Sequence, residues 1–104
     1  MSGPARTVND RFYLPKARGG GVLRREVWVD ERGRVIRYNL AYINPLIYAG
    51  DNGRVLGFDS AQGIHHRHYM GKVEAVSFDN FEAIARRFER EWNKLVKEVS
   101  DEKD

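Results

Sequence analysis

Apolar and polar residues alternate along the middle of this chain. The clearest case spans residues 34–43, where Arg37 and Asn39 share one parity and four apolar side chains share the other. Those four are Ile36, Tyr38, Leu40 and Tyr42. A period of two predicts a β-strand with one face buried and one face exposed.

Shorter segments on either side repeat this period. The first three predicted strands cover residues 24–30, 34–43 and 54–60. The fourth runs from the histidine tract to Phe78, over residues 64–78. The sequences DERG at 30–33 and DNG at 51–53 are turn signals. Gly71 marks a bend or bulge within the last strand. Short turns between successive strands predict antiparallel pairing.

The period changes to that of a helix after Asp79. Eight apolar residues follow at spacings typical of one helix face: Phe81, Ile84, Ala85, Phe88, Trp92, Leu95, Val96 and Val99. Asp79 is the predicted N-cap, with Glu82 as its capping-box partner. We therefore predict one amphipathic helix of about five turns, followed by a frayed acidic tail at 100–104.

Together these patterns predict an α+β fold, in which an antiparallel sheet of about four hairpin-connected strands packs on one C-terminal amphipathic helix. The length of 104 residues suits one domain, which we place at 24–99. Residues 1–23 contain two prolines, a run of three glycines and scattered arginines. They are predicted to form an irregular basic arm with a short ordered piece around 12–14.

The composition excludes several classes of protein. The chain has no cysteine, which excludes disulfides, thiolate nucleophiles and zinc–thiolate sites. No uninterrupted apolar run approaches the length of a membrane-spanning helix, and we expect a cytoplasmic protein. The sequence has no phosphate-cradling glycine loop and no serine-nucleophile elbow, and we predict no cofactor.

The net charge of +3 is unevenly distributed. Residues 1–72 contain 12 Lys and Arg against 6 Asp and Glu, whereas residues 73–104 contain 6 against 9. Most cations of the first part are arginines, whose planar guanidinium suits phosphate groups. This distribution favours a polyanion-binding face on the sheet, with the acidic helix turned away from it.

All three histidines lie within one short tract, as His65, His66 and His68. Histidine serves readily as general base, general acid or metal ligand, because its ordinary pKa lies near neutrality. Asp59 on the preceding strand can orient one of these rings if the strand register brings them together. Alternation places His66 and His68 on one face and His65 on the other, and the sequence leaves open which face meets Asp59.

These groups suit the cleavage of RNA without a metal ion. One histidine, oriented by Asp59, would deprotonate the 2′-hydroxyl, and a second would protonate the leaving oxygen. Arg37 and Arg67 would hold the phosphate and stabilise its transition state. We predict Asn39 and Lys72 as further substrate-binding residues.

Three other interpretations fit the same residues. The histidines can be ordinary hydrogen-bonding strand residues, with Arg37 and Asp59 as a plain cross-strand ion pair. His66 and His68 can bind zinc or a harder transition metal together with Asp59, but without a further acidic cluster we predict no metal site. The basic face can also belong to a non-catalytic module that binds nucleic acid or protein.

Four short motifs stand within residues 24–96. They are RYNLxYI at 37–43, DNGRVLGFD at 51–59, HHRHxxG at 65–71, and Phe78-x-x-Phe81 followed by Phe88. In order and composition they resemble the TumE family of small toxins from prokaryotic type II toxin–antitoxin systems. Ser60 departs from that pattern, because an asparagine often follows the aspartate in the family.

The resemblance implies a toxin that is encoded beside a helix-turn-helix antitoxin, which neutralises it and represses the shared promoter. It suggests a ribonuclease-like activity but supplies no catalytic residues, so the residue roles above rest on chemistry. We therefore expect RNA and the cognate antitoxin as partners and no membrane association, and we leave a homodimer open. The antitoxin is expected to contact residues 63–72 or the arm at 1–23.

Overall fold

A computed structural model describes residues 5–61 and 63–102, which form one antiparallel sheet beside one helix. The strands are β1 (Ala5–Tyr13), β2 (Val22–Val29), β3 (Val35–Ile43), β4 (Arg54–Ala61), β5 (Ile64–Tyr69) and β6 (Lys72–Ala75), and the helix is α1 (Phe81–Glu102). Each strand pairs with the next one in the chain. The α+β class and the C-terminal helix are confirmed, but the described part of the chain has six strands rather than about four.

The additional strand β1 lies where the sequence predicts an irregular arm. It pairs with β2 along its length, with one register shift between Arg6 and Val8. Residues 9–13 are exposed, including Phe12 at 59% and Tyr13 at 68%. An edge strand with water on both faces does not need alternating apolar residues, so the sequence pattern did not predict it. Residues 1–4 of the predicted arm lie outside the described residues.

The predicted last strand is two strands, β5 and β6, joined by a tight turn. Met70 and Gly71 have φ angles of +47° and +84°, the positive values that a type I′ hairpin turn requires. The bend predicted at Gly71 is therefore a complete reversal of the chain. β6 ends at Ala75, and residues 76–80 lead into α1.

The core lies between α1 and the centre of the sheet. Its buried members include Tyr38, Leu40, Tyr42, Leu56 and Phe58 from β3 and β4, and Ile84, Phe88 and Leu95 from α1. The rings of Phe58 and Phe88 meet edge to face with their centroids 6.3 Å apart. The helix thus covers one face of the central strands, and alternation turns the intervening side chains to the opposite face.

The N-cap of α1 is Asn80 rather than the predicted Asp79. The backbone N–H of Ala83 donates to Oδ1 of Asn80 at 2.8 Å, which satisfies one of the free donors of the first turn. The helix continues to Glu102, into the segment predicted to fray, and residues 103–104 lie outside the described residues. No helix in the described part of the chain combines the length and the apolar character needed to cross a bilayer.

Candidate active site

The neighbouring strands β4 and β5 bring the predicted aspartate and two of the histidines together. Asp59 is paired with His66, and Gly57 is paired with His68. Since Phe58 packs against α1, alternation along β4 turns Asp59 to the face that the helix leaves uncovered, and both histidines follow it on β5. We call this surface the open face of the sheet.

The carboxylate of Asp59 lies between two imidazoles. Nε2 of His68 is 2.8 Å from Oδ2 of Asp59, and Nδ1 of His66 is 3.4 Å from Oδ1. The side chains are partly buried, with 13% of His68, 22% of Asp59 and 28% of His66 exposed. The register that the sequence left open therefore selects His66 and His68, not His65, as the partners of Asp59.

Arg54 completes this cluster, and the sequence reasoning missed it. Nη2 of Arg54 lies 3.1 Å from Nδ1 of His68, and Nη1 lies 3.7 Å from Oδ2 of Asp59. Nε of Arg54 donates to Oδ2 of Asp51 at 2.8 Å. The pair with Asp51 anchors the guanidinium, so that its outer nitrogens are fixed beside the imidazole and the carboxylate.

A β-bulge turns Arg54 onto the open face. Leu56 pairs with Tyr42 and Arg54 pairs with Ile43, so Val55 is an extra residue in β4. Without the bulge, Arg54 would share the parity of Leu56 and point toward the helix side. Bulges of this kind often redirect a side chain next to an active site.

Gly57 provides the room that the Arg54 side chain needs to lie along the strand. A Cβ atom at position 57 would be 2.8 Å from Cδ of Arg54 and 3.2 Å from the carbonyl oxygen of Leu40. Glycine inside a strand pattern often marks such a close approach. It is the one signal in the sequence that could have pointed to Arg54.

The two histidines of the site differ in their hydrogen bonds. Both ring nitrogens of His68 are engaged: Nδ1 accepts from Arg54, so Nε2 carries the hydrogen that is donated to Asp59. His66 directs Nδ1 toward Asp59, and no described residue forms a hydrogen bond with its Nε2. The 3.4 Å contact of Nδ1 with Asp59 is an ion-pair distance and not a hydrogen bond; a hydrogen carried on Nδ1 beside this carboxylate would leave Nε2 as the basic nitrogen of His66, open to a ligand.

His65 lies on the other face of β5 and has a structural role. Its Nδ1 is 2.9 Å from the hydroxyl of Tyr38, and its ring stacks on Phe78 at a centroid distance of 4.0 Å. Burial lowers the pKa of His65, and the neighbouring His66 lowers it further. Burial also raises the pKa of Tyr38 to about 12, so the hydroxyl keeps its hydrogen and donates it to the neutral imidazole.

We expect the protein to lose stability as the pH falls below the ordinary histidine pKa of about 6.5. Because folding lowers the pKa of His65, the unfolded chain binds the proton more strongly. The contribution of His65 to stability is complete when the pH is above the ordinary histidine pKa. It is lost as the pH falls through the lower pKa that His65 has in the folded protein. Urea unfolding at about pH 7.5 and about pH 5.5 should show a smaller decrease for His65→Gln than for the wild type. An equal decrease in both proteins would assign the effect to other groups.

Arg67 and Lys72 lie away from the site, on the side of the sheet that faces α1. Nη2 of Arg67 is 2.6 Å from Oε1 of Glu91 on the helix. Burial alone would raise the pKa of Glu91, but hydrogen bonds from Arg67 and Arg87 outweigh burial and lower it. Lys72 pairs with Tyr69 and shares the parity of Arg67, opposite to that of the histidine pair. The geometry therefore does not bring either cation to the Asp59 cluster.

Asn39 and Arg37 both lie on the open face. Asn39 is paired with Asp59 across β3 and β4, and its Nδ2 donates to Oε1 of Glu26 at 3.3 Å. Cζ of Arg37 lies 4.7 Å from the centroid of the Trp28 ring. Arg37 therefore packs against Trp28 and not against Asp59, so the cross-strand ion pair considered from the sequence is not formed.

The site does not bring together enough side chains to hold a metal ion. In residues 5–61 and 63–102, no group of three or more histidine, cysteine, aspartate or glutamate side chains is arranged to hold a metal ion. The positive charge beside Asp59 and His68 comes from the guanidinium of Arg54. The arrangement combines a carboxylate-backed imidazole with a fixed cation, which can move a proton and stabilise a developing negative charge.

Comparisons with known proteins give no match: no family model, no curated protein and no solved structure matches this chain. Function has therefore to be inferred from the site itself and from the motifs in the sequence. The cluster of Asp59, His66, His68 and Arg54 is the surface from which that inference starts.

Proposed function

We propose that the chain is a toxin that cleaves RNA without a metal ion, using His66, Asp59 and Arg54 on the open face. The observation that carries the proposal is the shared carboxylate of Asp59, 2.8 Å from His68 and 3.4 Å from His66. A carboxylate orients the imidazole beside it, which is the arrangement that general-base catalysis requires. The guanidinium of Arg54 adds a cation at the same point.

The proposed reaction is an attack by the 2′-hydroxyl of the RNA on the adjacent phosphate. Nε2 of His66 removes the hydroxyl proton, the 2′-oxygen forms a bond to phosphorus, and the bond between phosphorus and the 5′-oxygen breaks. The proton returns to the departing 5′-oxygen through solvent, because His68 has both ring nitrogens engaged. The products are a 2′,3′-cyclic phosphate and a 5′-hydroxyl, and no water is consumed.

Arginines of the open face supply the positive charge that this reaction needs. Arg54 is held in place by Asp51 at 2.8 Å, so little reorganisation is required when charge develops on the phosphate oxygens. Arg24 shares the open face on β2 and pairs with Glu26 at 3.1 Å. Arg37 is exposed on β3. Carboxylates offset the charges of Arg24 and Arg54, so Arg37, for which the described residues provide no ion pair, is the arginine of this set that a phosphate can contact without competing with a carboxylate, and such a contact would make RNA binding salt-dependent.

The toxin role and the partner follow from the resemblance to the TumE family. An antitoxin that places acidic or apolar groups over the open face would block access to His66 most directly. A small helix-turn-helix gene directly beside the gene for this chain would support the toxin role independently of the chemistry.

A defined RNA oligonucleotide tests the proposed reaction. In the presence of EDTA, the wild type is expected to cut the oligonucleotide catalytically and to leave 2′,3′-cyclic phosphate ends. A single 2′-deoxynucleotide on the 5′ side of the scissile phosphate should stop cleavage at that position, because the nucleophile is missing. His66→Gln protein, purified in parallel, controls for contaminating nuclease.

Two outcomes would contradict the proposal. Cleavage that continues past the 2′-deoxynucleotide would exclude attack by the 2′-hydroxyl. Salt-dependent binding without turnover would exclude a nuclease and favour the non-catalytic binding module that the sequence also allows.

A further inference from the structure

A row of side chains crosses the open face from the Asp59 cluster to the outer strand β1, and the proposed reaction does not use it. The strand registers align its four members, which lie on β4, β3, β2 and β1 in that order: Arg54, Ile43, Val22 and Tyr13. Because Ile43 has the parity of Asn39 on β3, alternation turns the row to the open face. Neighbouring strands lie about 4.8 Å apart, so the row spans about 14 Å.

The outer end of this row is an aromatic ring that the fold does not use. Tyr13 is 68% exposed. No residue of the described chain forms a ring contact with it or a hydrogen bond with its hydroxyl. Val22 and Ile43 are half-buried, so apolar surface continues from the ring toward Arg54. Unpaired bases stack on exposed aromatic side chains of this kind.

An arginine without a carboxylate partner lies beside the ring. Arg11 precedes Tyr13 by two positions on β1 and so shares its face, and it is exposed. Arg24 lies directly opposite on β2, where its guanidinium is 3.1 Å from Glu26. No carboxylate in residues 5–61 or 63–102 forms an ion pair with Arg11. A phosphate can therefore contact Arg11 without displacing an acidic side chain.

We propose that a single strand of RNA runs across the open face from the scissile phosphate toward β1, with one unpaired base stacked on Tyr13 and a phosphate on Arg11. The inference rests on the proposed RNA substrate and extends it, because it specifies single-stranded RNA and a second contact point. RNA alternates a flat base with a phosphate, and Tyr13 beside Arg11 offers one partner for each. A base within a duplex must first unpair and unstack to reach the ring.

Binding of RNA that cannot be cleaved tests the role of Tyr13 apart from catalysis. The probe is a fluorescent 2′-O-methyl oligonucleotide, measured by anisotropy as a single strand and as a duplex. Tyr13→Ala should weaken single-strand binding by about 5- to 150-fold, the effect of losing one base stack, and should change duplex binding little. Tyr13→Phe keeps the ring and should bind like the wild type. Phe12→Ala is the matched control, because it removes a ring that is 59% exposed on the opposite face of the same strand.

The salt dependence of the same binding tests Arg11. Arg11→Ala should reduce the slope of log K against log salt by about 0.7, the value for one phosphate contact with a single strand. Arg90→Ala removes an exposed charge from α1, on the other side of the sheet, and should leave the slope unchanged. Circular dichroism and urea unfolding verify that each variant is folded.

Cleavage kinetics test whether the strand bound at Tyr13 is the one that is cut. With an oligonucleotide, Tyr13→Ala should raise KM and leave kcat nearly unchanged, because the stack is the same in the ground and transition states. With a dinucleoside phosphate, which contains the scissile linkage alone, it should change neither constant.

Four results would overturn the proposal: wild-type single-strand affinity in Tyr13→Ala, an equal loss in Phe12→Ala, an unchanged salt slope in Arg11→Ala, or an equal rise in KM for the dinucleoside phosphate. The anisotropy probes are not cleaved. The expected losses in Tyr13→Ala and Arg11→Ala without any nuclease activity of the wild type would therefore uphold the RNA contact while the proposed reaction fails.

Discussion

Replacing His66 by glutamine is expected to reduce the rate of RNA cleavage by about 10²- to 10⁴-fold, the usual range for loss of a general base. Glutamine retains a polar side chain of comparable length but cannot take up the proton of the 2′-hydroxyl. The His66 side chain is 28% exposed on the open face, so the fold should tolerate the change. Single-turnover measurements with saturating protein report the chemical step apart from binding.

The other two histidines serve as controls for this result. His68→Gln removes the group that joins Arg54 to Asp59, so as a positioning residue it should slow cleavage less than His66→Gln does. His65→Gln alters the opposite face of β5, where the ring contacts Tyr38 and Phe78. It should lower stability but leave the single-turnover rate of the folded protein nearly unchanged. Equal rates for His66→Gln and the wild type would exclude His66 as the base.

The central strands could be predicted because each has one buried and one exposed face. Tyr38, Leu40 and Tyr42 on β3 all pack beneath α1, so burial imposes the alternation that the sequence displays. β1 has no such constraint, because residues 9–13 are exposed. The break between β5 and β6 depends on positive φ angles at Met70 and Gly71, and methionine at such a position carries no turn signal.

The candidate site could be predicted only in part, because the sequence does not fix the register in which β4 pairs with β5. The clustering of the histidines and the nearby Asp59 were sufficient to indicate the region, but a shift of one residue would have placed His65 and Arg67 on the site face instead. The hydrogen-bonded pairing of Asp59 with His66 decides between the two faces. Arg54 could not be placed by parity, because the bulge at Val55 reverses the alternation of β4.

Replacing Arg54 by methionine is expected to reduce cleavage by about 10²- to 10³-fold, the loss typical of removing one preorganised donor from a developing oxyanion. The free energy of unfolding should also fall, by more than the about 0–1 kcal/mol of an exposed ion pair, because Arg54 is only 23% exposed and its loss leaves the partly buried Asp51 and Asp59 without this cation. Arg34→Met is the matched control, since Nε of Arg34 forms a similar pair with Asp30 at 2.9 Å, in the turn between β2 and β3. That control should lose no activity and less stability than Arg54→Met, because the Arg34 side chain is 70% exposed and that of Arg54 only 23%.

Two further variants distinguish the position of the Arg54 charge from its presence. Arg54→Lys keeps the charge but cannot contact Asp51, His68 and the substrate with one rigid fork. Gly57→Ala keeps the guanidinium, but its Cβ would lie 2.8 Å from Cδ of Arg54, so the side chain must move. If stabilisation depends on a preorganised cation, both variants should lose most of the cleavage rate while remaining folded. Wild-type rates in Arg54→Met, Arg54→Lys and Gly57→Ala would remove Arg54 from the reaction and leave the phosphate charge to be stabilised by other groups.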